Sequence, residues 1–360
     1  MLRRSLLTML SAAPLASGGG TRRRSAAEPV TVSVNLEAAA ALIRALERSV
    51  VTDAEVDRLL AMRGVQAMVD NTTKYIPGST REAFRSGLKE VVATGSTQHR
   101  FGLVSARGAR ADALKVIAAL KSDATLEADL SAPTLRYLPT AAPLTVTVYG
   151  VVGGASDGFV LDDDPEPAFF VALDRSKGDV DGVKQNMAHE LYHVAQRAAR
   201  ARVPDLAARV FDKATAPAPT RLLTVLLEEG TANYVVDPTR RAGSGPYFDM
   251  WRERYLRNGS LEKIASNFAL FDTLSSQLRS RARSWEQTYQ EGFSGEGPLY
   301  FVGYEMAKAL DRRRGPHSIV DAFSRHPAAF FQAYIAVARA ERLPSFSAGT
   351  ESWLLSLPEA

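Results

Sequence analysis

Apolar residues recur every three or four positions along most of the chain, which is the spacing of the buried face of an α-helix. From Val30 to about Pro139 this pattern predicts helices, including Leu36–Leu46, Ala54 to about Val69, Thr80–Val92 and Ala109–Lys121. After Glu229 it predicts further helices, at Tyr247–Leu256, Leu261–Arg281 and Tyr300–Leu310. The pattern differs between these two regions. Apolar and polar residues alternate in Leu144–Val152, and Ala168–Asp174 is continuously apolar, so both segments are predicted to be strands. The expected class is α+β, mostly helical, with one small sheet.

The helix that follows the second strand has two distinct faces. No Gly or Pro interrupts residues 183 to 203, Asp181 is placed to cap the helix start, and Pro204 follows its end. Its buried face is predicted to contain Val183, Met187, Leu191, Val194 and Ala198. A second stripe with the same period is polar and contains Asn186, His189, His193 and Gln196. Because this stripe lacks the Lys and Glu of a solvated surface, we expect it to line a site.

The polar stripe contains the string His189-Glu190-Leu-Tyr-His193. Residues four apart on a helix lie on one face, so both imidazoles can bind one metal ion while Glu190 reaches a water on that ion. A catalytic zinc takes a third protein ligand and leaves the fourth position to water. The extended motif with a Gly and a third His soon afterwards is excluded, because those positions hold Gln196 and Ala199.

Two carboxylates downstream are candidates for the third ligand. The apolar run Leu222–Leu227 leads directly into Glu228 and Glu229, and Ala232–Val236 continues apolar. This is the pattern of a buried helix that carries acid. Since a buried carboxylate needs a cation, a proton or a partner, a metal ion would account for one of them.

These residues resemble the gluzincin branch of the zinc metallopeptidases, in which a Glu on a second helix is the third ligand and Gly-x-Ala often follows it. The segment Glu229-Gly-Thr-Ala232 matches this pattern, so the resemblance implies that Glu229 is the ligand and that Glu228 is an outer or solvent-exposed group. Asn233 lies one turn further along the same face and is placed to accept a bond from a ligating imidazole. The chain is also similar to bacterial sequences described as zinc-dependent peptidases.

The resemblance implies a zinc-dependent hydrolase that acts on peptides or proteins. In such enzymes Glu190 would be the general base for a zinc-bound water, and a Tyr on a late helix, here Tyr300 or Tyr304, would donate to the developing oxyanion. A small sheet precedes the metal helix in zincin-like folds, and its edge strand pairs with extended substrate. Residues 140–360 are therefore expected to form a zincin-like metallopeptidase domain.

The beginning of the chain has the features of an export signal. Residues 1–27 start with basic residues, continue with a short apolar run and end with small residues, which indicates a periplasmic or secreted protein. The alternative is a cytoplasmic protein in which these residues form a disordered tail. Residues 28–139 are expected to form a helical region that packs on the catalytic part, and no segment is apolar enough to span a membrane.

Composition and charge narrow the function further. The chain has no cysteine, which excludes disulfides, thiolate zinc ligands and cysteine nucleophiles. Residues 1–27 contain five arginines and no acidic residue, so the rest carries a formal charge of −1 against +4 for the whole chain. A near-neutral body gives no reason to expect nucleic-acid binding. Two alternatives to the peptidase are an exported zinc-containing binding or inactive peptidase-like protein, and a helical scaffold with a chance motif.

Overall fold

The computed structural model of the protein describes residues 30–137, 143–161, 164–211 and 215–358. The predicted export signal at residues 1–27 lies outside these ranges. The described chain is mostly helical with one small sheet, which confirms the predicted α+β class. Within these ranges, no helix is both long and apolar enough to cross a lipid bilayer.

The sheet has four strands: β1 (Val30–Asn35), β2 (Leu144–Val151), β3 (Gly158–Phe159) and β4 (Ala168–Ala172). Their order across the sheet is β1-β2-β4-β3, with the first three parallel and β3 antiparallel to β4 at the edge. The two predicted strands are confirmed as β2 and β4. All five residues of β4 are buried, which explains its continuously apolar sequence.

Strand β1 corrects the prediction that the chain is helical from Val30. In this segment Val30 and Val32 are buried while Thr31 and Ser33 are not, so the side chains alternate between two faces with the period of a strand. The strand pairs in parallel with β2 and starts at the pair Val30 and Leu144. The alternation of buried and exposed residues covers only six positions, which is too short to distinguish a strand from the helical pattern that follows it.

Seven helices follow β1 in the part of the chain before residue 138: α1 (Glu37–Leu46), α2 (Asp53–Ala61), α3 (Arg63–Tyr75), α4 (Arg81–Thr94), α5 (Leu103–Gly108), α6 (Arg110–Ser122) and α7 (Leu126–Leu135). The single helix predicted from Ala54 is two helices, because Met62 between them has an extended backbone with ψ of 130°. Thr52 and Glu55 form a capping box that fixes the start of α2.

The helices after β4 are α8 (Val180–Arg200), α9 (Pro204–Leu206), α10 (Ala218–Val235), α11 (Pro246–Asn258), α12 (Leu261–Arg279), α13 (Trp285–Phe293), α14 (Pro298–Arg314), α15 (His317–Val320), α16 (Ala328–Glu341) and α17 (Ala348–Ser356). Short π-helical and 3₁₀ segments lie at Ala207–Phe211, Pro238–Arg240 and Asp321–Ser324. The helices predicted around residues 247, 261 and 300 are therefore confirmed.

One carboxylate caps the starts of two helices. Asp179, and not the predicted Asp181, is the N-cap of α8, and its Oδ1 accepts from the amide of Gly182 at 3.0 Å. Its Oδ2 accepts from the first amides of α11, those of Tyr247 at 2.9 Å and Phe248 at 2.8 Å. Asp181 instead accepts from the amide of Ser244. Asp179 thus holds the N-terminus of α8 next to the N-terminus of α11.

The buried apolar side chains form one continuous core that extends from Val30 to Leu354. Helix α8 packs on the sheet through β4, and α10 packs on α8 and on α14. At the far side of α10, Tyr137 and Tyr234 both donate to the buried carboxylate of Asp311, at 2.8 and 2.7 Å. The last described residue of the helical N-terminal region is thereby joined to α10 and α14.

Candidate metal centre

The two imidazoles of the motif face each other on α8. The Nε2 atoms of His189 and His193 lie 3.0 Å apart, and both side chains are largely buried, with 14% and 15% of their surface exposed. Val183, Met187 and Leu191 are fully buried on the other face of the helix, as predicted, and fix its rotation against the core. The polar stripe is thereby directed away from the core and towards α10.

Glu229 on α10 completes a group of three ligand atoms. Its Oε2 lies 3.5 Å from the Nε2 of His189 and 3.5 Å from the Nε2 of His193. In a tetrahedral zinc site with bonds of about 2.0–2.1 Å, ligand atoms lie about 3.3 Å apart, so the three side chains fit such an ion closely. Within the described ranges, this is the one group of three His, Asp or Glu residues arranged to hold a metal ion.

The charges of the three residues favour a cation between them. Burial acts to raise the pKa of Glu229, but the charges of His193 and His189 and their hydrogen bonds hold it well below its ordinary value. Burial likewise acts to lower the pKa of His193, yet the Glu229 carboxylate raises it to about 9. The Glu229 carboxylate therefore stabilises positive charge where the three ligand atoms meet, and a bound zinc ion would supply such a charge.

Glu190 lies beside the ligands and under the edge of the sheet. Its side chain is buried, and burial raises its pKa against the opposing charges of His193 and His189. A Cβ atom at Gly158 in β3 would lie 2.6 Å from the Oε1 of Glu190, so the edge strand passes directly over this carboxylate. Asn186 holds the strand there by donating to the carbonyl of Asp157 at 3.1 Å.

Gln196 orients the imidazole of His193. Its Oε1 lies 2.9 Å from the Nδ1 of His193, and its Nε2 donates to the carbonyl of Glu228 at 2.8 Å and to Thr231 at 3.0 Å. Since the amide oxygen can only accept, Nδ1 carries a proton, which leaves Nε2 as the nitrogen that can bind a metal ion. The sequence placed Gln196 in the polar stripe but did not assign it this role.

The predicted orienting role of Asn233 needs correction. Its Nδ2 donates to the carbonyl of Glu229 at 2.7 Å, and its Oδ1 accepts from the hydroxyl of Tyr255 at 2.5 Å. Both ends of the amide therefore bind α10 and α11 and not an imidazole. Its position one turn after Glu229 was predicted correctly, but the amide turns back along its own helix.

Gln196→Leu is expected to weaken zinc binding about tenfold, because leucine keeps the volume but cannot hold the Nδ1 proton of His193. Competition with a chromophoric chelator measures the affinity. Gln66→Leu on α3, where the side chain is partly exposed and far from the site in sequence, is the matched control and should bind zinc like the wild type. An unchanged affinity in the Gln196 variant would contradict the orienting role.

The two candidate tyrosines on α14 have different surroundings. The hydroxyl of Tyr304 donates to the carboxylate of Asp237 at 2.7 Å and is therefore already engaged. Burial raises the pKa of Tyr300, and the charge of the Glu229 carboxylate and a hydrogen bond with Tyr289 raise it further. The hydroxyl of Tyr300 is therefore influenced by the charge of the third candidate ligand.

Glu228 was expected to be an outer or solvent-exposed group, and the structure corrects this. Its side chain is 5% exposed and forms an ion pair with Arg200, whose guanidinium stacks on the rings of Phe211 and Phe323. The second buried acid of α10 is therefore neutralised by an arginine on α8, while Glu229 faces the imidazoles. Neighbouring helical residues point about 100° apart, which allows this division.

The glycine after Glu229 permits a close crossing of two helices. A Cβ at Gly230 would overlap the Cα and carbonyl carbon of Gly303 on α14, and one at Gly303 would overlap the carbonyl of Leu226. Glycine at both positions lets the backbones of α10 and α14 touch. This crossing positions Glu229 relative to Tyr300, which lies one turn before Gly303.

A family model matches residues 56–342, more than three quarters of the chain and the whole of the site just described. The family is described as "Putative zinc dependent peptidase (DUF5700)". The chain belongs to this family. The family description supports zinc as the metal of the protein. Among curated proteins and among solved structures, none matches this member of the zinc-dependent peptidase family.

Proposed function

We propose that the protein is a peptidase of the gluzincin type, in which His189, His193 and Glu229 hold one zinc ion and Glu190 is the general base. The observation that carries this proposal is the convergence of three ligand atoms from two helices at 3.0 to 3.5 Å, with a fourth side chain, Glu190, buried beside them. The side chains of His189, His193 and Glu229 keep 14%, 15% and 24% of their surface exposed, so water can reach the ligand group.

The chain's own residues supply the proton transfer. Glu190 takes a proton from the attacking water and passes it to the leaving amine, and its raised pKa brings it closer to neutral pH, where a base can both accept and release a proton. Bound zinc supplies Lewis acidity, which polarises the scissile carbonyl and makes the attacking water more acidic. Gln196 keeps the His193 ring in the tautomer that binds metal.

Two further features support a peptide as the substrate. Strand β3 is the edge of the sheet and passes over Glu190, so an extended peptide that pairs with it would bring a backbone carbonyl to the ligands. We assign the stabilisation of the oxyanion to Tyr300, because the hydroxyl of Tyr304 is bound to Asp237. We also propose export of the protein, on the basis of the basic and apolar sequence of residues 1–27.

The test is zinc analysis combined with a hydrolysis assay on a mixed peptide library. The purified protein is expected to contain one zinc ion per chain and to cleave peptides. Chelation should abolish cleavage, and added zinc should restore it. A His193→Ala chain with unchanged circular dichroism should lack both properties. Stoichiometric zinc without chelator-sensitive cleavage would contradict the proposal and favour a zinc-containing binding protein.

A further inference from the structure

Arg254 on α11 is held in a partly buried position among aromatic rings. Its guanidinium carbon lies 5.3 Å from the ring centre of Trp251, 5.4 Å from that of Tyr300 and 5.6 Å from that of Phe301. Its Nε donates to the backbone carbonyl of Glu296 at 2.9 Å. The rings and the carbonyl fix the side chain in one place.

The loop before α14 also holds the side chain of Arg254 in place. Gly297 has a φ of 56°, and a Cβ at this position would overlap both the Nη2 of Arg254 and the ring of Tyr300. The loop therefore packs directly on the arginine. A guanidinium that is held in advance loses little conformational entropy when it binds a ligand.

Arg254 differs from the other arginines of α11 in its charge partners. Arg252 pairs with Asp249, and Arg257 pairs with Glu253 and Glu296. For Arg254, none of the described carboxylates lies within ion-pair distance, and none of the described acceptors binds its terminal nitrogens. A partly desolvated guanidinium with two open NH₂ groups favours an anionic ligand, and its fork matches a carboxylate.

Arg254 contacts α14, the helix that crosses α10 next to Glu229. It contacts the ring of Tyr300, which lies one turn before the crossing of Gly303 with Gly230. Its neighbour Tyr255 donates to Asn233, one turn after Glu229. Arg254 and Glu229 are thus linked in two ways, by the contacts of Arg254 and of α10 with α14 and by the hydrogen bond from Tyr255 on α11 to Asn233 on α10.

We propose that Arg254 binds a carboxylate of the peptide substrate, so that the protein selects anionic peptides; this inference rests on the proposed peptidase function. The carboxylate comes either from the C-terminus of the peptide or from an Asp or Glu side chain. Both present two oxygens to the two terminal nitrogens of the arginine. A C-terminal carboxylate bound here would place the scissile bond near the end of the peptide.

Calorimetry on the full chain tests the proposal by binding and does not require turnover. The probes are one neutral pentapeptide with a free C-terminus, its amide, and the amide with a single Glu. They are measured on zinc-loaded Glu190→Gln protein and on wild-type protein after zinc removal. One of the two peptides that carry a carboxylate is expected to bind at least about tenfold more tightly than the neutral amide. The peptide that does so shows whether Arg254 binds a C-terminal or a side-chain carboxylate.

Variants assign the preference to Arg254. Arg254→Met should abolish the preference, and Arg254→Lys should retain part of it because the charge remains. Arg312→Met removes an exposed arginine of α14 and should leave the preference unchanged. Thermal melts establish that each variant is folded. Equal binding of all three peptides, no binding, or a preference that survives in Arg254→Met would overturn the proposal.

Zinc removal separates two kinds of carboxylate binding. A preference that disappears with zinc but persists in Arg254→Met arises from the metal and contradicts the role of the arginine. The failure of the peptidase proposal is distinguishable, because it is a lack of chelator-sensitive cleavage in the separate library assay. Cleavage without any carboxylate preference would overturn only the assignment of Arg254.

Discussion

Glu190→Gln protein is expected to bind zinc with the wild-type stoichiometry and to cleave peptides about 100-fold to 10,000-fold more slowly. Glutamine has the shape of glutamate but cannot accept the proton of the attacking water. The ligands His189, His193 and Glu229 are unchanged, so metal binding is retained. The measurements are zinc content and kcat/KM on a peptide that the wild type cleaves.

Two controls separate chemistry from folding in this experiment. Glutamine fits the space under Gly158, and it removes a carboxylate whose pKa burial has raised, so the melting temperature should equal or exceed that of the wild type. Glu305→Gln, in the middle of α14 where Glu305 pairs with Lys308, is the matched substitution and should retain activity. A fully active Glu190→Gln protein would refute the assignment of the base.

Gly230→Ala is expected to destabilise the fold by about 1–3 kcal/mol and to weaken zinc binding about a hundredfold. The added methyl group would overlap backbone atoms of Gly303, which cannot move aside as a flexible side chain would. Helices α10 and α14 must therefore separate, and the neighbouring Glu229 moves away from the imidazoles. Thermal unfolding and chelator competition measure the two effects.

Gly349→Ala is the matched control for the crossing. Gly349 lies in α17, and a Cβ at that position would meet no atom within 4 Å. The substitution should be neutral or slightly stabilising, because alanine favours a helix over glycine. If Gly230→Ala melted and bound zinc like the wild type, the close crossing would not position the third ligand.

The sequence predicted the parts of the site that depend on local periodicity. The spacing of His189 and His193 and the apolar face of their helix are properties of one segment, so pattern alone located them. The spacing alone could not identify Glu229 as the third candidate ligand, because its neighbour Glu228 is also acidic. The resemblance to gluzincins favoured Glu229, and in the structure the choice follows from the ion pair that Arg200 makes with Glu228.

The parts that were missed depend on contacts between distant segments. Gln196 orients His193 only because α10 offers it the Glu228 carbonyl, and Asp179 caps α8 only because α11 starts beside it. Strand β1 pairs with β2 across more than a hundred residues, which no local pattern encodes. Arg254 gave no signal in the sequence, because its open charge is defined by the absence of nearby acids in the folded chain.

The shared cap at Asp179 limits how α8 and α11 can move relative to each other. Since α8 and α11 are both tied to a single carboxylate at their first turns, the distance between those turns is set. Any widening of the space between the helices has to increase towards their last turns. A motion that separated α11 from α8 would therefore be a hinge rotation about Asp179, with its largest displacement at the end of α11 that carries Arg254.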